Sequence, residues 1–131
     1  MAHSTFSLRA TDLISTDYVS VQSTAPLSKV LGALKQKDAK EALVMDGKSI
    51  AGLISDSGLL RNVDITKTKA STVMRTLPSL SPTDSFDRVV RLMRDADVRM
   101  IPVVEKNQVL GVITAQSVLS QLQSHPAFVN V

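Results

Sequence analysis

The sequence predicts an α+β fold of two β-α-β-β-α repeats packed with pseudo-twofold symmetry. Three observations predict it. The chain matches itself when slid by 59 positions. Within each copy the apolar residues fall at strand-like, then helix-like, then strand-like spacing. The 131 residues are 44% apolar but only 3% aromatic, with no cysteine, so the core is aliphatic and disulfide-free.

The repeat carries the most information. At the offset of 59, Val19–Leu60 falls on Pro78–Leu119 without a gap, and eight of the 42 positions are identical. They are Ser20/Ser79, Thr24/Thr83, Val30/Val89, Asp38/Asp97, Val44/Val103, Gly52/Gly111, Ile54/Ile113 and Leu60/Leu119. Composition alone gives about three. Conservative pairs extend the match, among them Lys29/Arg88, Lys35/Arg94, Lys40/Arg99, Asp46/Glu105 and Ser55/Thr114.

Each copy opens with a short apolar segment, Val19–Val21 or Pro78–Leu80, and a turn cluster. Thr24 and Thr83 stand there as candidate helix N-caps. Leu27, Val30, Leu31 and Leu34, matched by Phe86, Val89, Val90 and Met93, then form one stripe of an amphipathic helix. Two β-like runs follow, Ala42–Met45 with Ile50–Ile54 and Ile101–Val104 with Val109–Ile113. Asp46-Gly47 and Lys106-Asn107 supply turn residues, so each pair reads as a hairpin. A second helix is expected over Gly58–Asn62 and over Ala115–Gln123.

The boundaries read as repeat one over 8–62, a polar linker over 63–72, repeat two over 73–123 and a tail over 124–131. About 55 residues with one aliphatic layer are marginal alone, so the two sheets are expected to bury each other.

Composition also excludes function classes. The only histidines, His3 and His125, lie near the ends, which disfavours a histidine triad or histidine-rich metal site. No apolar run approaches the roughly 20 residues of a membrane span, and the start lacks a signal-peptide pattern. A cytoplasmic protein without a membrane anchor is expected. The net charge of +3 suits an anionic ligand but is too small to argue for nucleic acid. Arg88, Arg91 and Arg94 are interleaved with Asp84, Asp87, Asp95 and Asp97, which reads as a salt-bridged solvated face. Gly47-Lys48-Ser49 mimics the end of a phosphate-binding loop, but it joins two strand-like runs. It reads as a hairpin turn.

VRMIPVVE followed by QVLGVITAQSVL resembles the most recognisable stretch of a CBS domain, where an "xLPVVD" strand, a turn and a "GVITxxDL" step recur. VMRTLPSLSPTDSFDRVVRLM resembles the portion that precedes it, and TDYVSVQSTAPLSKVLGAL with EALVMDGKSIAGLISDSGLL is a weaker first copy. The resemblance spans about Leu13 to Gln123 and implies a tandem CBS pair, or Bateman module. Such modules commonly bind AMP, ADP, ATP or S-adenosylmethionine in clefts between the repeats, often pair as dimers, and regulate without catalysing.

Carried over residue by residue, the resemblance implies ribose-facing hydroxyls at Ser55 and Thr114, with Ser117 three residues into the following helix. It implies phosphate contacts at Arg99, three residues before Pro102, and at its mate Lys40. Ser20-Val21, Ser79-Leu80, Ile54 and Ile113 match the positions that wall an adenine. Each has a plain structural alternative: Ser55 and Thr114 as helix caps, Lys40 and Arg99 as solvated helix ends, Ile54 and Ile113 as sheet core. Gly58 and Ser117 stand where members that grip ribose tightly carry Asp.

Two functions follow. One is a sensor of an adenine nucleotide or related adenosyl compound, with the ligand expected mainly by Thr114 and Ser117. The other is a dimerisation or partner-docking module without a nucleotide. A homodimer is expected through Leu59, Leu60, Val118, Leu119 and Leu122. No nucleophile–base pair or metal cluster marks an enzyme, and no resident cofactor is expected. The regulated target is not written in the sequence.

Overall fold

In the computed structural model, residues 7–59, 61 and 64–124 are described. They are α+β, and the chain divides into two compact units: Asp17–Leu77, and the residues before Asp17 together with those from Pro78 onward. The expected tail beyond Ser124 lies outside the described residues, as do Leu60, Asn62 and Val63.

The Asp17–Leu77 unit holds a three-stranded sheet in which β1 (Val19–Gln22) pairs parallel to β2 (Glu41–Asp46). Strand β3 (Ser49–Ser55) pairs antiparallel to β2. Helix α1 (Leu27–Lys37) connects β1 to β2, and it buries Leu27, Val30 and Leu34 as their spacing predicts. It ends at Asp38, whose φ of 53° is left-handed. The Asp38 N–H caps the carbonyls of Leu34 and Lys35. Asp97 takes the same φ of 53° after helix α4 (Phe86–Ala96), which accounts for one of the repeat's identities.

The unit before Asp17 and from Pro78 onward holds α4, the antiparallel pair β4 (Met100–Glu105) and β5 (Gln108–Thr114), and helix α5 (Ala115–Ser124). The expected strand Pro78–Leu80 is reduced to a single parallel bridge between Leu80 and Val103. Leu80 N–H donates to the Pro102 carbonyl at 2.9 Å, and the Leu80 carbonyl accepts from Val104 N–H at 2.8 Å. But Pro102, the mate of Leu43, has no N–H to donate to the preceding rung. One proline thus removes a ladder rung that repeat one keeps.

Both helix starts correct the sequence reading. The N-caps are Pro26 and Ser85, two residues beyond Thr24 and Thr83. Ser85 Oγ accepts from Arg88 N–H at 3.2 Å, whereas Thr83 Oγ1 pairs with Ser81 Oγ. Ser85→Ala is expected to cost about 1 kcal/mol, read as a drop in thermal midpoint. The charged face of α4 is salt-bridged as expected, with Arg88–Asp84 at 3.6 Å and Arg91–Asp87 at 3.1 Å.

Gly47 and Lys48 form the β2–β3 turn, one residue later than Asp46-Gly47, with a left-handed φ of 62° on Gly47, and Ser49 opens β3. Lys106 and Asn107 (φ 52° and 66°) make a turn with two left-handed residues between β4 and β5. In repeat one the second helix is a single turn, α2 (Asp56–Leu59), starting two residues before the expected Gly58.

Each repeat's hairpin is completed by a segment from elsewhere in the chain. Residues 64–77, part of them read as linker, fold onto the Asp17–Leu77 unit. There Arg75 bridges Leu53 with two 2.8 Å bonds, and Ala70, in the short helix α3 (Ala70–Val73), is fully buried. In the other unit Ser15 bridges Val112, and Ala10, in a 3₁₀ turn over Ala10–Leu13, is fully buried. Both crossings explain a glycine. A Cβ on Gly52 would stand 2.7 Å from the Arg75 carbonyl oxygen, and one on Gly111 would stand 2.6 Å from that of Ser15.

Candidate functional site

Alternation along β1 buries Val19 and Val21 and exposes Ser20 and Gln22. Pro26, with φ −68°, is the extended N-cap of α1, just beyond the Ser23-Thr24 turn. On that helix Lys29 and Ala33, four residues apart, share a face roughly 100° round from the buried Val30 and Leu34. Between strand and helix lies a cleft of about 510 Å³, lined by Ser20, Val21, Gln22, Thr24, Ala25, Pro26, Lys29 and Ala33.

The rim of this cleft is held from two sides. The Gln22 carboxamide clamps the Gly47 peptide, accepting from its N–H at 3.0 Å and donating to its carbonyl at 3.3 Å. Ser23 Oγ donates to the Asp46 carboxylate. From the other side, Leu27 N–H and Ser28 N–H donate to the carbonyls of Thr68 and Ile65 at 2.9 and 2.8 Å. Ala70 and Ser71 N–H donate back to the Ala25 and Ser23 carbonyls. Side chains lining the cleft are therefore fixed on well-bonded backbone.

Ser20 and Val21 are the expected residues found in that lining; the others stand elsewhere. At the end of β3, Ser55 Oγ accepts from Gly58 N–H at 3.3 Å and lies 2.9 Å from Ser57 Oγ. At the end of β5, Thr114 Oγ1 accepts from Ser117 N–H at 3.1 Å, while Ser117 Oγ donates to the Thr114 carbonyl at 2.9 Å. Ser55 and Thr114 thus act as helix-start caps here, the plain alternative weighed above, while Ser117 bonds back to the residue that caps it. Each oxygen keeps further bonding capacity.

The basic residues sit beside these hydroxyls. The Lys40 carbonyl accepts from Asp56 N–H at 2.9 Å and its ammonium pairs with the Asp56 carboxylate at 3.8 Å. The Arg99 carbonyl accepts from Ala115 N–H at 2.8 Å, so Arg99 stands next to Thr114. In each repeat a backbone bond therefore sets the basic residue beside the strand end that carries the hydroxyl. Ile54 and Ile113 are buried sheet core, Leu80 is buried, and Ser79 is exposed.

The sequence reading missed Lys29 and Gln22 as cleft residues and took Thr24 for a cap. The Lys29/Arg88 pair within the repeat was the available signal. Charge is also unevenly shared: Asp17–Leu77 carries nine basic against six acidic side chains, and the rest of the chain six against six. Of the apolar residues expected on a dimer face, Leu59 and Val118 are buried within their own units. Leu122 is half-buried, Leu119 is 59% exposed, and Leu60 lies outside the described residues.

Among the described residues no helix is long and apolar enough to cross a membrane. None of them forms a group of three or more His, Cys, Asp or Glu able to hold a metal ion.

Comparison with known proteins agrees with this geometry. The family model of the CBS domain matches twice, over residues 10–65 and 70–124. A CBS domain-containing protein of unknown function from Bacillus anthracis str. Ames Ancestor superposes with a TM-score of 0.82 at 22% identity, covering 92% of this chain and 96% of that one. The cytosolic domain of the Mg2+ channel MgtE in complex with ATP superposes at 0.76 with 25% identity, covering 86% of this chain. This chain spans about half of that domain, 48%. Hypoxic Response Protein I, with two coordinated zinc ions, superposes at 0.77 with 16% identity, covering 86% of this chain and 98% of that one. A comparison with curated proteins found no match.

Proposed function

The chain belongs to the CBS domain family as a tandem pair, and from that premise we propose that it senses an adenine nucleotide or a related adenosyl compound. A CBS pair is a regulatory ligand-binding module, and such modules do not as a rule catalyse.

The observation that carries the reading is the first-repeat cleft. Its volume of about 510 Å³ falls within the range of small-molecule sites. Ser20 and Val21, at positions that wall an adenine in the family, are in its lining. Strand β1 offers backbone polar groups and the Val21 side chain at one wall, which suits a flat heteroaromatic ring. The ATP complex of the related MgtE cytosolic domain supports the same class of ligand.

Thermal melts against AMP, ADP, ATP and S-adenosylmethionine test it. A ligand at about 100 times its Kd stabilises the folded state by about 2.7 kcal/mol. No shift with any of the four at millimolar concentration would sink the adenosyl reading.

The second repeat provides a separate handle. Ser117 is the third residue of α5 after the Thr114 cap, so Ser117→Asp creates a capping-box carboxylate. The variant is expected to fold at least as well as the wild type. If a ribose sits at Thr114, a charge-assisted acceptor there should tighten binding about fivefold. Calorimetric titration reads both effects; unchanged affinity would remove Ser117 from the site.

The partner-docking alternative is favoured by one observation, the use of the Ser55 and Thr114 hydroxyls as caps. In that reading the exposed Leu119 is part of the docking face. The expected homodimer belongs to the same proposal, and light scattering at high micromolar concentration decides it: the monomer mass of 14.1 kDa would exclude a dimer.

A further inference from the structure

We propose that the cleft between β1 and α1 receives the phosphate-bearing end of a small anionic ligand, with Lys29 as the cation that meets it. The inference rests on the regulatory ligand-binding reading and goes beyond it by naming the charged contact.

The lining of the cleft contains one charged side chain, Lys29, and no carboxylate. Lys29 forms no salt bridge among the described residues, whereas Lys40 pairs with Asp56 at 3.8 Å and lies outside the lining. The Ser20 and Thr24 hydroxyls have no hydrogen-bond partner among the described residues, so both are available as donors. The surrounding unit carries the whole formal excess of +3, which adds a favourable field for an anion.

The start of α1 does not supply the anion site. Its Leu27 and Ser28 N–H groups already donate to the Thr68 and Ile65 carbonyls. The positive charge must therefore come from a side chain. A lysine ammonium is a compact point charge with three rotatable donors, suited to a phosphate's three oxygens. Ala25 and Ala33 leave the approach to it short-walled, and the Gln22–Gly47 clamp fixes the rim before a ligand arrives. In the second repeat the mate of Lys29, Arg88, pairs with Asp84 at 3.6 Å, so its charge is offset by a carboxylate where that of Lys29 is not. The anion site belongs to repeat one.

Amide chemical-shift titrations with ATP, adenosine and inorganic tripolyphosphate test this on wild type, Lys29→Met and Lys35→Met. Lys29 is exposed, so its variant is expected to fold. ATP and tripolyphosphate should shift the amides of Val21, Thr24, Lys29 and Ala33. Lys29→Met should weaken both about three- to tenfold, the range for a partly solvated charge-assisted contact. Lys35→Met, outside the lining, should change neither beyond about twofold. Adenosine binding as tightly as ATP, with Lys29→Met silent, overturns the phosphate contact and leaves the adenosyl reading standing. ATP no tighter than tripolyphosphate, with Lys29→Met weakening both, upholds the phosphate contact and overturns the adenosyl reading. Shifts confined to Arg99 and Thr114 overturn the first-repeat assignment, and silence from all three ligands overturns both.

Discussion

Gly111→Ala is expected to destabilise the protein by about 2 kcal/mol, lowering its melting temperature by roughly 5–10 °C. The added Cβ would meet Ile14 Cγ2 and the Ser15 carbonyl oxygen, the latter at 2.6 Å. That oxygen accepts from Val112 N–H at 2.9 Å, so it cannot retreat without breaking the bridge that ties residues 7–16 to the hairpin. The gain from a stiffer unfolded chain, about 0.4–1 kcal/mol, offsets only part of the clash. Gly52→Ala should behave alike, because the Arg75 carbonyl oxygen at 2.7 Å is bonded to Leu53 N–H. Gly32→Ala should have the opposite sign. It lies inside α1 with nothing within 4 Å of its would-be Cβ, so helix propensity alone adds about 0.5–1 kcal/mol. Equal and small effects at all three glycines would refute the close-approach explanation.

Removal of residues 1–16 is expected to have a larger effect, although the segment precedes the gapless match that begins at Val19. Five backbone bonds join it to the hairpin and helix of the second repeat: Ala10 to Asp84, Thr11 to Pro82, Phe86 to Leu8, and the reciprocal Ser15–Val112 pair. At about 0.5–1.5 kcal/mol each they contribute roughly 3–7 kcal/mol, before the packing of the fully buried Ala10 is counted. That is comparable with the whole stability of a small domain. The truncated chain should show weakened amide-exchange protection at Val112 and Val103 while Val44 and Leu53 stay protected. Uniform loss of protection across both sets would mean that the two units unfold only together. Unchanged protection at Val112 would refute the role of the segment.

This exchange of segments was present in the sequence but hidden by a change of register. Ala10/Ala70, Ile14/Met74 and Ser15/Arg75 are related by 60 positions, whereas Val19 onward is related by 59. A gapless match therefore stops at Val19. The crossings also have no local period, because each bridge joins residues far apart in sequence. The strongest trace they left was Gly52/Gly111, identical residues whose reason is a backbone passing over them. The helix starts were misread by two residues because Thr24 and Thr83 look like caps, but Pro26 and Ser85 are where the backbone turns helical. The site was legible in part. Ser20 and Val21 could be named from the repeat, while Lys29 looked like any basic residue on an exposed helix face.

What the sequence alone determined is everything that rests on side-chain period: the duplication, the amphipathic stripes of α1 and α4, the paired hairpins and an aliphatic core. Burial acts on each residue through its neighbours at fixed spacing, and spacing is written in the chain. Only the tertiary structure decided which segment completes each hairpin, and which hydroxyls are engaged as caps. It also decided that Lys29, rather than Lys40, faces a carboxylate-free cleft. Those outcomes depend on backbone hydrogen bonds and charge pairings between distant residues, where many partners satisfy the same local pattern and the packed fold selects one.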